Sequence, residues 1–240
     1  MISLKVISCL LEYPTEELWA HRDELIEALE RADELPFTQA VQLMMFVRDY
    51  TGAPLLDRQA EYCELFDKGR ATSLLLFEHV HAESRDRGQA MVDLMAQYQQ
   101  NGLQIDSREL PDHLPLYLEY LTTLPAKERQ EGLLNIAPIL ALVGERLKQR
   151  ESRFAKLFEL LLVLSNSELE TQQLSEQVAK EARDDTPEAL DAVWEEEQVK
   201  FFADDKTCDS DISRHQRRFA GAVVPQYLDL DSDLTSGVSK

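Results

Sequence analysis

Between Ser73 and Gly88 the chain reads SLLLFEHVHAESRDRG, a short apolar run followed by Glu78, His79, His81, Glu83, Ser84, Arg85, Asp86 and Arg87. A solvated helix face is usually built from interchangeable Glu, Lys and Gln. Here lysine is absent, and two histidines and two arginines stand among the acids. Such groups make several directed hydrogen bonds each, and the planar arginine fork suits paired recognition of carboxylates. The run is a candidate recognition surface or a buried polar network rather than a solubilising one.

A second stretch, PDHLPLYLEYL from Pro111 to Leu121, sets an acid beside a base at Asp112 and His113. Neighbours on a helix point about 100° apart, so these two form no proton relay there. Asp112 and Glu119, at helical spacing, share a face beside Tyr117 and Tyr120. Acids next to aromatics suit a groove for a cationic, partly apolar peptide. The ordinary alternatives are a core edge for the tyrosines, dipole compensation by Asp112 and a solvated Glu119.

Metal chemistry would draw on His79, His81, Glu83 and His113. On a helix His79 and His81 diverge by about 200° and converge only in an extended segment. A hydrogen-bonded histidine pair accounts for them better, and no cofactor is expected. A metal-dependent hydrolase using His79, His81 and His113 stays open as an alternative. The chain carries no HExxH, no Gly-rich phosphate loop and no GxSxG elbow.

Helices must position these groups, because helical periodicity dominates the sequence. Thr15, ahead of Glu16 and Glu17, predicts an N-cap. Pro36 opens a helix that ends near Gly52, and another follows Pro54 with Leu56, Ala60, Cys63 and Phe66 near one face. The SLLLF run is ambiguous between helix and extended chain. A helix is expected from Asp86 to Gln100, ended by Asn101-Gly102. Pro111 is expected in the first turn of the next helix, which Pro125 stops. A long amphipathic helix over Ala126–Arg150 should kink or break at Pro138, and Glu151–Leu164 is apolar on one side. The expected fold is all-α: one compact, bundle-like helical core over 1–165, an acidic helical extension over 166–228 docking on it and partly mobile, and a disordered tail over 229–240.

Composition narrows the function. With only 8 Gly in 240 residues, few positions serve left-handed turns or phosphate loops. A formal net charge of −20 repels nucleic acid and anionic membrane surfaces and attracts cationic peptide. Cys9, Cys63 and Cys208 are odd in number and match no metal spacing, which fits a reducing compartment. The apolar start, Ile2 to Leu11, lacks the leader and cleavage site of a secretory signal, and no run is long enough to span a bilayer. A cytoplasmic location without membrane insertion is expected. From Asp184 to Asp211 eleven acids face Lys200 and Lys206 alone, yet Trp194, Phe201 and Phe202 bring apolar surface that would dock on the body or a partner, even capping a groove.

EYCELFD from Glu61, RATSLLLFEHVHAESRDRGQAMVDL from Arg70 and ELPDHLPLYLEYL from Glu109 occur in this order. Together with IAPILAL from Ile136 and ARDDTPEALDAVWEEEQVKFF from Ala182, they resemble the molybdenum-cofactor assembly chaperones of respiratory nitrate reductase, once called its delta subunit. The PDHL element is shared with chaperones of other molybdoenzymes; SRDRG is narrower. The resemblance implies an all-helical cytoplasmic chaperone without enzymatic activity. Such proteins bind the apo catalytic (alpha) subunit, including its N-terminal segment, hold it for insertion of the molybdenum cofactor, and leave before the enzyme is complete. A permanent structural subunit is the other alternative. On this basis Tyr62, Phe66, Phe77 and Tyr117 would take the apolar side of a client helix, and Glu78, Asp112 or Glu119 its basic side. His79, His81, Glu83, Arg85, Asp86, Arg87 and His113 would complete the client-facing set.

Overall fold

A computed structural model describes residues 1–80, 85–105, 109–169 and 172–192; of Arg85 it describes the backbone alone. The described chain is helical: α1 (Ile2–Leu11), α2 (Glu16–Ala20), α3 (Arg22–Glu30), α4 (Phe37–Thr51), α5 (Leu55–Tyr62), α6 (Arg85–Gln100), α7 (Leu114–Thr123), α8 (Ala126–Gln149), α9 (Ala155–Ser165) and α10 (Gln172–Val178). A π-helical turn over Cys63–Asp67 extends α5, and a 3₁₀ turn covers Leu76–His79. Among the described residues no strand forms; one antiparallel bridge joins Leu75 to His113. No described helix is long and apolar enough to cross a membrane.

The apolar start of the chain is the centre of the core. On α1, Leu4, Ile7, Leu10 and Leu11 are fully buried, and the helix packs on α3, α7 and α9. Each such side chain contributes roughly 1.5–3 kcal/mol of burial. The other main seam is the α8–α9 hairpin. Glycine permits its close approach: a Cβ on Gly144 would stand 3.1 Å from Phe158 Cβ, and one on Gly132 would run into Leu121 of α7. Phe46, Tyr50 and Phe66 meet Phe154, fully buried at the foot of α9, edge-on, and Trp19 and Tyr62 pack in turn on Tyr50 and Phe66.

Two local expectations change, and one helix end is set by something the pattern did not show. Pro111 does not open a helix. It lies in a turn closed by the His113 N–H on the Leu110 carbonyl (3.0 Å), and α7 starts at Leu114 with Pro115 in its first turn. Pro138 does not break α8, which runs unbroken with the proline on its exposed side. Between the end of α8 and the start of α9 at Ala155, Glu151 adopts φ 55°. The N–H groups of Glu151 and Ser152 bond the carbonyls of Lys148 and Leu147 (both 2.9 Å), a Schellman motif that ends α8. Thr15 caps α2 as expected, accepting the Leu18 N–H at 3.4 Å.

The compact body runs through Leu190, so α10 and the chain that follows it belong with α1–α9. A second unit spans Asp191–Lys240. The Trp194 segment and the tail from Asp229 fall outside the described residues.

Candidate functional site

Three segments meet beside the end of α1. Glu12 and Tyr13 follow α1 directly. Tyr62, Phe66 and Asp67 come from the last turn of α5 and its π-helical extension, which swings Phe66 inward. The third wall is the bridge of Ser73–Leu75 against His113, with Glu109 on the approach. Backbone bonds lock this wall: Leu76 N–H to Asp112 O at 3.0 Å and Leu114 N–H to Leu74 O at 2.8 Å. Between the segments lies a cleft of about 350 Å³.

Its floor is aromatic. Tyr62 and Phe66 are buried with ring centroids 4.9 Å apart, and half-exposed Tyr13 meets Tyr62 edge-on at 5.6 Å. The Tyr62 hydroxyl donates to Leu11 O at 3.1 Å, fixing the ring against α1. Burial pushes its phenol well up, so it stays neutral. The rim is acidic, with Glu12, Asp67 and Glu109 and no Lys or Arg among the described lining residues. Desolvation, then the nearby charges of Glu109 and Glu119, raise the Glu12 carboxyl above its ordinary 4.5. His113, 8% exposed, is held below 6.5 chiefly by burial, and its Nδ1 has no hydrogen-bond partner. A neutral imidazole, aromatic faces and crowded carboxylates can receive a cationic, partly apolar group; among the described residues no group of three His, Cys, Asp or Glu stands close enough to hold a metal.

The expected residues divide. Tyr62, Phe66 and His113 line the cleft. Behind the bridge lie Phe77, Glu78, His79, Arg87 and Asp112. Asp112 does not stand on a rim or share a helical face with Glu119: it precedes α7 and is 0% exposed. Its Oδ2 accepts the Phe77 N–H at 3.0 Å at the start of the 3₁₀ turn, while Oδ1 is unpartnered. Its work is to tie two segments together. His79 Nε2 lies 2.8 Å from the Ser73 carbonyl; a carbonyl only accepts, so Nε2 carries the proton. Glu78 and Arg87 pair at 3.5 Å. Tyr117 turns into the α7–α8 seam, its hydroxyl 3.4 Å from Gly132 O and its phenol pushed up to about 12 by burial. Glu119 is exposed on α7, close enough to raise Glu12 and Cys9. Asp86 is exposed at the start of α6, whose first residue is Arg85; His81 and Glu83 fall outside the described residues.

Sequence reasoning missed Glu12, Tyr13, Asp67 and Glu109. One signal was available: Glu12-Tyr13 and Phe66-Asp67 are acid–aromatic pairs at the ends of helical segments, where both side chains can face one opening.

A family model described as nitrate reductase delta subunit matches residues 16–159. The chain belongs to that family. The chain is 64% identical over 230 residues to the nitrate reductase molybdenum cofactor assembly chaperone NarJ of Escherichia coli (strain K12), covering 96% of this chain and 98% of that one. It is 57% identical over 231 residues to the probable chaperone of the same description, NarW, of that strain, covering 95% and 97%. A probable NarJ of Bacillus subtilis (strain 168) is 28% identical over 165 residues, covering 67% and 86%.

Proposed function

We propose that this protein is a cytoplasmic assembly chaperone for a respiratory nitrate reductase. It binds the immature catalytic subunit through that subunit's N-terminal segment, keeps it open for insertion of the molybdenum cofactor, and departs before the enzyme is complete. It performs no catalysis and holds no cofactor of its own. Two supports converge: relatives over nearly the full length are named nitrate reductase molybdenum cofactor assembly chaperones, one of them as probable, and the cleft at the end of α1 pairs an aromatic floor with an acidic rim. The cleft is the observation that carries the proposal. A segment that folds into an amphipathic helix on binding lays its apolar side on Tyr13, Tyr62 and Phe66 and its basic side against Glu12, Asp67 and Glu109. Release has to be possible, so an affinity of about −8 to −12 kcal/mol is the useful range.

Affinity capture on the tagged full-length protein tests this. The chaperone retains the catalytic subunit made without molybdenum cofactor and does not retain the loaded, membrane-docked complex. Equal recovery with the finished enzyme would instead make it a permanent structural subunit.

A further inference from the structure

Beyond Tyr13 the cleft continues. Glu12 and Tyr13 also wall a second, larger opening of about 600 Å³, lined by Cys9 on α1, Leu18 on α2 and Leu25 on α3 and also by Glu17 and His21. Its wall is set in advance. α2 is too short to be stable alone, yet Trp19 Nε1 donates to Ala53 O at 3.0 Å, and Gln59 Nε2 donates to Pro14 O at 2.9 Å just before the Thr15 cap. Cys9 is half-buried, and desolvation pushes its thiol up, so it acts as a small apolar lining group.

The two compartments therefore differ in chemistry while sharing one partition. One collects three carboxylates and the buried, unpartnered Nδ1 of His113. The other shares Glu12 and adds Glu17 and His21, but most of its surface is apolar, with a thiol and two leucines beside Tyr13. Assuming the chaperone function proposed above, we propose that the groove reads its client in one orientation: a cationic side chain lodges in the His113 compartment, and aliphatic side chains of the same helical face lodge between Cys9, Leu18 and Leu25. Charge complementarity fixes this. A cation beside Glu12 relieves the crowding of that carboxylate by Glu109 and Glu119, whereas an aliphatic group there would desolvate Glu12 further and supply no charge to offset it. The recognised ligand is thus a polarised segment, basic at one end and aliphatic at the other, not merely an amphipathic one.

Calorimetric titration of the full-length protein tests the polarity. The probes are a synthetic peptide of the nitrate reductase catalytic subunit's N-terminus, a version with its Lys and Arg changed to Gln, and a version with its aliphatic residues changed to Ala. Glu109→Gln weakens the parent peptide roughly five-fold, the scale of a solvent-exposed ion pair, and has no effect on the uncharged version. Leu25→Ala weakens the parent roughly ten-fold, as one partly buried side chain should, and has no effect on the Ala version. Leu18→Gln serves as the second apolar variant if Leu25→Ala is not folded by thermal melting. Crossed coupling, with Leu25 or Leu18 sensing the charge and Glu109 sensing the aliphatic residues, would overturn the polarity while leaving the chaperone function standing. Failure of the unaltered protein to bind the parent peptide at all would overturn both.

Discussion

Two polar regions of this protein stand side by side and are finished to different degrees. Behind the cleft, the chain after α10 is strapped to the end of α8 by a closed network. Arg150, whose side chain is 4% exposed, gives Nη2 to Asp184 Oδ1 (2.6 Å) and Nη1 to Thr72 Oγ1 (2.7 Å). The other Asp184 oxygen accepts the Ala71 N–H at 2.7 Å, beside Gly69, where any Cβ would collide with it. Arg146 grips Glu181 with two nitrogens (2.8 and 3.1 Å) and adds the Ala71 carbonyl. In the cleft, carboxylates crowd one another and His113 Nδ1 has nothing to bond. In the strap, the buried Arg150 guanidinium has its partners supplied by the chain itself. At the cleft the carboxylates stand exposed and gather with no lysine or arginine among the described lining residues.

Breaking the strap gives the largest effect. Arg150→Ala leaves Asp184 and the Thr72 hydroxyl without their guanidinium partner and costs about 3 kcal/mol, the scale for one partner removed from a buried pair; urea unfolding measures it. Asp112 belongs with the strap in kind although it adjoins the cleft. Asp112→Ala orphans the Phe77 N–H and lowers stability by about 1–3 kcal/mol, so the variant melts earlier rather than simply binding peptide less well.

Cleft variants do the opposite. Glu12→Gln weakens a basic peptide by roughly five-fold while leaving the fold intact. It also changes the pH profile of stability. The folded carboxyl holds its proton more tightly than the unfolded one, so Glu12 costs stability as pH rises from its ordinary 4.5 through its raised folded value. Glu12→Gln removes that downward slope. The opposite slope remains in both proteins, since buried neutral His79 and His113 are held below 6.5 and must take a proton as pH falls. Melting temperature against pH separates the two. The smallest effect is at exposed Glu119, which acts through its charge on Glu12 and Cys9; Glu119→Gln shifts peptide affinity by less than about two-fold.

Much of the fold was legible because caps and periodicity are local. Thr15, Pro36, Gly52 and Pro54 mark their helix ends in the sequence as they do in space. Glu151 was not legible, since a left-handed Glu is imposed by the Schellman closure and not by its own preference. Nor was Asp112, whose helix-like spacing from Glu119 concealed a turn and a long-range bond to Phe77. Of the site, Tyr62, Phe66 and His113 could be named from the family pattern. Glu12, Tyr13 and Glu109 reach the cleft from distant parts of the chain, and nothing local in one sequence says that they meet.

The comparison itself is tested most directly by hydrogen–deuterium exchange of the full-length protein with and without the catalytic subunit's N-terminal peptide. We expect added protection at residues 12–18, 62–67 and 109–113, and none at 178–185, where the strap is already closed. Protection gained or lost at 178–185, with the cleft segments unchanged, would show that the completed network is the one the client engages, and would contradict the account.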